Sequence, residues 1–303
     1  PCWVIKKSVP IQHLRTLNEV ELFVKRDDLM HPIISGNKLY KLKYSIAKAK
    51  NEEYGGILTF GGAYSNHIAA TAAYCKEEGI QSVGIIRGES TQPLNPTLSY
   101  SKSCGMTLSF IDRTTYRSKD DPGYLEKLKE DFNNPLIIPE GGANLEGITG
   151  AQEIIGAQCD EFDIIALAVG TGTTLAGILK ALSPHQKVIG FPVHKHATVF
   201  EDVIQIDSEL QGYRQNQYSI EGGYHFGGYA KWNDALIQFM RSTYDEGGLK
   251  TDPIYTSKAL YGIIDMIQKG SFEIGTKILF IHTGGLQGIG GFEQRHGFTI
   301  YAS

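Results

Sequence analysis

Two lysines, Lys38 and Lys41, stand three places apart in SGNKLYKL (35–42), directly after the small, flexible pair Ser35-Gly36. The glycine turn leads into what reads as the start of a helix. A lysine amine is a nucleophile and a base only when uncharged. Partial burial or a nearby cation lowers its pKa toward that state. Lys41 can be that cation for Lys38. The alternative is that Lys38 is a solvated surface lysine, the usual fate of the residue.

Three glycine-rich corners decide what such an amine would serve. In LTFGGAYSNH (58–67) an apolar strand runs into Gly61-Gly62, and Ser65 is placed to cap the next helix. Backbone N–H groups there, with Ser65 and Asn66, suit an anion such as a carboxylate, although a capped helix without any ligand would carry the same residues. In IALAVGTGTTLAGIL (165–179) a strand enters Gly170-Thr171-Gly172-Thr173-Thr174 and then a helix. Free N–H groups, hydroxyls and the missing Cβ atoms make this a phosphate cradle. A dinucleotide would ask for an acid some 20 residues on, at the end of the next strand. That strand, KVIGFPVH, ends without one, and no triphosphate-binding G-x-x-x-x-G-K-[ST] occurs here. A single phosphate monoester fits better. The third corner, ILFIHTGGLQGIGG (278–291), places His282 and Thr283 before a double glycine, and His282 reads as a packing or hydrogen-bonding residue.

The elements that must hold these corners alternate. Strands are expected at 21–26, 55–60, 82–87, 106–111, 135–139, 162–169, 187–191 and 277–282. Helices are expected at 65–79, 173–182, 232–247 and 258–270, and 113–135 reads as a surface loop plus a helix. Alternation of this kind means an α/β fold with mostly parallel sheets, in which ligands bind at the carboxyl ends of strands.

Composition narrows the function further. The 303 residues carry a net charge of −4, which implies no basic face and argues against a nucleic-acid partner. No run is long enough to span a membrane, and the beginning of the chain has no signal-peptide core. Cys2, Cys75, Cys104 and Cys159 form no C-x-x-C pair and read as reduced thiols, so a cytoplasmic protein is expected. The histidines, including the pair in HKH (194–196), lack a supporting ligand set, and no metal is expected.

A phosphate cradle and an activated lysine meet in one cofactor. Pyridoxal 5′-phosphate has one phosphate, and its aldehyde condenses with a lysine amine. The segments VKRDDL, SGNKLYKL, GGAYSNH, AVGTGTTLAG, DPIYTSKALYG and FIHTGG, in this order, resemble the 1-aminocyclopropane-1-carboxylate deaminase and D-cysteine desulfhydrase family of fold-type-II pyridoxal phosphate enzymes, related to the tryptophan synthase β chain. The resemblance runs from about Pro10 to Gly291. It implies two domains, a larger cofactor domain from 1–45 and 146–303 and a smaller one, 46–145, carrying the Ser-Asn-His loop. It implies Lys38 as the cofactor-bound lysine that also moves the Cα proton, and Lys41 as a phosphate contact. Asn66 would bond the cofactor's phenolic oxygen, and Gly170, Thr171, Gly172, Thr173 and Thr174 would hold the phosphate. Ser65, Asn66 and His67 would hold the substrate carboxylate, with Tyr229 and Tyr255 beside the substrate. Family members are usually homodimers acting on small amino acids.

Two positions separate the branches. The deaminases resemble one another in a glutamate after the motif tyrosine and a leucine after the last-strand histidine; this chain has Thr256 and Thr283. A glutamate would keep the pyridine nitrogen protonated, whereas the Thr283 hydroxyl gives a weaker electron sink. Opening an unactivated ring needs the strong sink, and expelling thiolate does not. The chain therefore looks like the desulfhydrase branch, converting D-cysteine or a similar β-substituted D-amino acid to pyruvate, ammonia and sulfide. The alternative is deamination of the cyclopropane substrate to 2-oxobutyrate and ammonia. A binding protein without turnover would not need Lys38, Ser65, Tyr229 and Tyr255 together. Three departures border the expected pocket: Tyr64 before Ser-Asn, Tyr229-Ala230-Lys231-Trp232, and the turn Leu286-Gln287-Gly288.

Overall fold

A computed structural model describes residues 9–90, 92–195, 199–212 and 215–301. Cys2 and His196 lie outside them. The ten strands are β1 (Ile11–Leu17), β2 (Val20–Lys25), β3 (Ile57–Gly62), β4 (Ser82–Arg87), β5 (Thr107–Ile111), β6 (Leu136–Ile138), β7 (Ile164–Val169), β8 (Lys187–Pro192), β9 (Tyr218–Ile220) and β10 (Lys277–Ile281). The helices are α1 (Asn37–Asn51), α2 (Asn66–Glu78), α3 (Pro96–Ser103), α4 (Arg113–Tyr116), α5 (Pro122–Asp131), α6 (Leu145–Gln152), α7 (Thr173–Ala181), α8 (Val199–Ile206), α9 (Asp234–Gly247), α10 (Thr256–Gln268) and α11 (Gly288–His296).

The strands form two sheets. Six are ordered β1-β2-β10-β7-β8-β9, and four are ordered β5-β4-β3-β6. Only the β1–β2 pair is antiparallel. Its two-residue turn sets Asn18 and Glu19 at φ 47° and 58°, the left-handed pair that such a hairpin needs. Strands β1 and β9 are absent from the sequence-based expectation: IQHLRTL is half-exposed and mixes apolar with polar residues, and β9 is only three residues long. The expected strands are otherwise present with ends moved by one or two residues, and 113–135 holds two helices rather than one.

Central strands β3, β7 and β10 are nearly continuous apolar runs because helices cover both faces of each sheet. Local signals start the helices. Ser65, Asn95, Asp121, Asn144 and Asn233 each accept a bond from a first-turn N–H, and Pro96 and Pro122 follow two of these caps. Gly79 ends α2 at φ 68°. Among the described residues, no helix is long and apolar enough to cross a membrane.

Candidate active site

A cavity of about 530 Å³ opens at the carboxyl ends of β3, β4, β7, β8 and β10, where both sheets present their glycine-rich corners. Lys38, Lys41, Ser65, Asn66, His67, Gly170, Thr171, Gly172, Thr174, Tyr229, Tyr255 and Thr283 all line it. Thr173 does not; it is buried beneath the loop, with its hydroxyl 3.2 Å from that of Thr171.

The lysine corner is clamped to the end of β10. Gly36 sits at φ 62°, ψ −143°, and a Cβ there would stand 2.2 Å from the Thr283 carbonyl carbon and oxygen. The Gly36 amide donates to Asp27 O (2.9 Å) and the Asn37 amide to Thr283 O (3.3 Å). Below lies VKRDDL: Lys25 and Asp27 form a buried ion pair, with Tyr40 Oη 3.3 Å from Lys25 Nζ. Burial pushes the Asp27 carboxyl up to about 6 despite the lysine beside it.

Helix α1 then carries both amines into the cavity. Lys38 Nζ donates to Asn37 Oδ1 (3.2 Å), and Asn37 Nδ2 donates to Thr174 Oγ1 (2.8 Å). Burial lowers the Lys38 amine to about 8. Lys41 Nζ reaches Thr171 Oγ1 at 3.4 Å and is pushed well below the usual lysine range, first by burial and then by Lys38. Neither is in a salt bridge among the described residues. Two buried amines without a counter-charge face a helix start whose N-cap, Gly172, is left-handed (φ 80°) and leaves the first-turn N–H groups unpaired within the helix. Gly141 and Gly142 close in from the other side; Cβ atoms there would lie 2.9 Å from Thr171 Cγ2 and 3.3 Å from Lys41 Cε. A phosphate dianion meets this donor set, with Lys38 free to take the aldehyde. The residues present fit pyridoxal phosphate.

His67 lines the cavity beside Ser65 and Asn66. Its ring is buried (2% exposed), and burial plus the two lysines hold its pKa well below the ordinary histidine range, so it brings no positive charge. Thr59 donates its hydroxyl to Ile138 O (2.7 Å) and so accepts from His67 Nε2 (2.8 Å). The bare Nδ1 is a buried acceptor without a partner. Ser65 caps α2, its hydroxyl accepting from the Ile68 amide at 3.3 Å.

On the opposite wall Tyr229 lies between two rings. It stacks on His194 (5.2 Å, 7°) and meets Tyr255 edge-on (6.1 Å, 72°). The Tyr255 phenol is held well above its usual pKa, first by burial and then by Tyr229. Thr283 faces the cavity; Thr256 does not. The Thr256 hydroxyl donates to Asp252 Oδ2 (2.7 Å) and accepts from the Asp252 amide (2.8 Å). Asp252 also accepts from the amides of Ile254, Tyr255 and Thr256, so its carboxylate is consumed in starting α10. His282 is the hydrogen-bonding strut expected of it, donating to Lys250 O (2.7 Å) and accepting from the Gly284 amide (3.2 Å).

Of the three departures, Tyr64 and Gln287 line the cavity, while Trp232 does not and packs behind two lining residues, Phe292 and His296, beside Phe298. Sequence reasoning missed Asn37, Arg87, Glu140, His194 and Asp252 on the cavity wall. Asn37 adjoins Lys38, Arg87 ends a strand and Asp252 precedes a proline, which are weak signals; Glu140 and His194 reach the site only through tertiary folding. Cys75, Cys104 and Cys159 are free and buried. No group of residues that could hold a metal occurs among the described residues.

The chain is similar to known proteins in sequence and fold. The family model described as "Pyridoxal-phosphate dependent enzyme" matches residues 6–284. A mitochondrial protein of Arabidopsis thaliana, named a bifunctional D-cysteine desulfhydrase/1-aminocyclopropane-1-carboxylate deaminase, is 33% identical over 90% of this chain and 74% of its own length. A D-cysteine desulfhydrase of Klebsiella pneumoniae is 28% identical over 93% of each. The solved structure titled an ACC deaminase homologue superposes with a TM-score of 0.81 at 29% identity, covering 96% of this chain and 94% of that one. With the paired lysines, the glycine cradle and these relatives, the chain belongs to the pyridoxal-phosphate dependent enzymes.

Proposed function

We propose that this enzyme eliminates the β-substituent of D-cysteine or a similar β-substituted D-amino acid. With D-cysteine, one water is consumed and pyruvate, ammonia and hydrogen sulfide are released. Pyridoxal phosphate, when bound, supplies the electron sink for negative charge at the substrate Cα. The rest falls to this chain. The Gly170–Thr174 loop and Lys41 bind the phosphate. Lys38 holds the aldehyde and, once freed by the substrate amine, takes the Cα proton. The start of α2, with Ser65, orients the carboxylate, and Tyr229 and Tyr255 would stand beside the substrate.

The observation that carries the branch is the missing free carboxylate beside Thr283. Asp252 is the acid nearby, and four hydrogen bonds already occupy its carboxylate. The pyridine nitrogen would meet a neutral hydroxyl, a sink sufficient for thiolate and poor for ring opening. The name of the Klebsiella relative, D-cysteine desulfhydrase, supports this reading, while the name of the Arabidopsis relative carries both activities.

We also propose that residues 46–145, built on the four-stranded sheet, form the smaller domain, that 1–45 and 146–303 form the larger, and that the enzyme is a cytoplasmic homodimer. The test of function is product identification with D-cysteine, L-cysteine and 1-aminocyclopropane-1-carboxylate given separately to the loaded enzyme. Pyruvate with sulfide from D-cysteine alone is expected. Release of 2-oxobutyrate at a comparable rate would favour the deaminase instead.

A further inference from the structure

The turn after β10 wraps the side-chain amide of Asn66. A Cβ on Gly285 would stand 3.1 Å from Asn66 Nδ2, and one on Gly288 would stand 3.3 Å from Asn66 Oδ1. The amide therefore lies across the turn with its nitrogen toward Gly285 and its oxygen toward Gly288. Gln287, between them, donates from Nε2 to Asn66 Oδ1. Thr97 donates to Gln287 Oε1 at 3.4 Å, which sets the Gln287 amide in its turn. Asp252 Oδ2 lies 3.1 Å from the same Gly285 point as Asn66 Nδ2, so a carboxylate stands on the nitrogen's side. An amide has one acceptor end and one end with two donors. With the acceptor end occupied, the N–H groups of Asn66 are left for the cavity.

We propose that Gln287 is a positioning residue that locks the Asn66 amide with its N–H donors, rather than its carbonyl, turned to the cofactor's phenolic oxygen. This rests on the reading of Asn66 as the partner of that oxygen. A donor there favours the ionised phenolic form, whereas a carbonyl would disfavour it.

The test is a pH titration of the cofactor's visible absorbance in the loaded enzyme, without substrate. Gln287→Glu is the sharp variant: an ionised carboxylate cannot donate, and can bond Asn66 only if the amide turns over. Gln287→Met removes the bond at similar volume and serves if the glutamate variant folds poorly. Loss of a hydrogen bond to a charged group corresponds to roughly one to two pH units. We expect Gln287→Glu to raise the titration midpoint by about that much and Gln287→Met to raise it less. The double variant with Asn66→Ala separates orientation from simple charge. Orientation predicts that Gln287→Glu no longer moves the midpoint once Asn66 is gone. An equal shift with and without Asn66, or no shift in either Gln287 variant, would overturn the proposal. If Asn66→Ala alone leaves the midpoint where it was, the reading of Asn66 itself is overturned and this proposal with it, while the elimination assay still stands.

Discussion

Replacing Lys41 by methionine separates the phosphate reading from a packing role. Lys41 is 2% exposed, its amine has Thr171 Oγ1 at 3.4 Å as its one hydrogen-bond partner among the described residues, and Lys38 stands one turn away. In the cofactor-free protein this amine is costly, because burial and Lys38 both oppose its charge. Methionine fills much the same volume without the charge. Cofactor-free Lys41→Met should therefore unfold at the same temperature as the parent or higher, whereas a core truncation would lower it. Linkage gives the sign with pH. A lysine whose pKa falls on folding binds fewer protons folded than unfolded, so its cost is full below the folded pKa and fades as pH rises toward 10.5. The advantage of the variant should shrink over that window. Cofactor binding should move the other way. Removing one partner of a buried charge pair costs about 2 kcal/mol or more, which is about 30-fold in Kd. Absorbance titration of the cofactor-free protein measures this, and pyridoxal without its phosphate is the control, since it should bind parent and variant alike. A Kd for pyridoxal phosphate within threefold of the parent's, or an equal loss for pyridoxal, would refute the phosphate assignment.

Four further outcomes follow from the same geometry. Lys38→Ala should abolish the cofactor's visible band while far-UV circular dichroism stays native, because the Lys38 amine has Asn37 as its one hydrogen-bond partner among the described residues; a band that persists would remove Lys38 from the chemistry. With its amine at about 8, Lys38 is about a quarter uncharged at pH 7.5, against about a thousandth for an ordinary lysine. The rate at which cofactor-free protein captures pyridoxal phosphate should thus rise with pH to a plateau with a midpoint about 8, and a midpoint near 10.5 would contradict the buried amine. Gly36→Ala should leave the protein cofactor-free or unfolded, since its Cβ would overlap the Thr283 backbone at 2.2 Å and its φ is left-handed; thermal unfolding within about 1 kcal/mol of the parent would contradict that clash. Asp252→Asn keeps the size but weakens the cap of α10, and calorimetry should find about 1–2 kcal/mol of stability lost.

The site was readable where chemistry is local. A lysine after a glycine turn, a strand ending in Gly-Thr-Gly-Thr-Thr, and a serine before an alanine-rich helix each state their geometry within a few residues, and the fold brings all three to one cavity. What was not readable depends on contacts far apart in sequence. Thr256 follows the motif tyrosine, yet it turns away because Asp252, four residues back, captures its hydroxyl at the start of α10. His67 sits in the expected loop, yet its ring faces Thr59 and carries no charge. The Gln287–Asn66 bond joins residues 221 positions apart, and only folding could reveal it. Strand β1 escaped notice because its partner and turn define it more than its own half-exposed residues do.

The most direct test of the central claim is to reduce the loaded enzyme with borohydride, digest it and locate the modified lysine by mass spectrometry. The account predicts the pyridoxyl increment on Lys38 alone, with Lys41 unmodified. An increment on Lys41, or on any lysine outside the cavity, would contradict it.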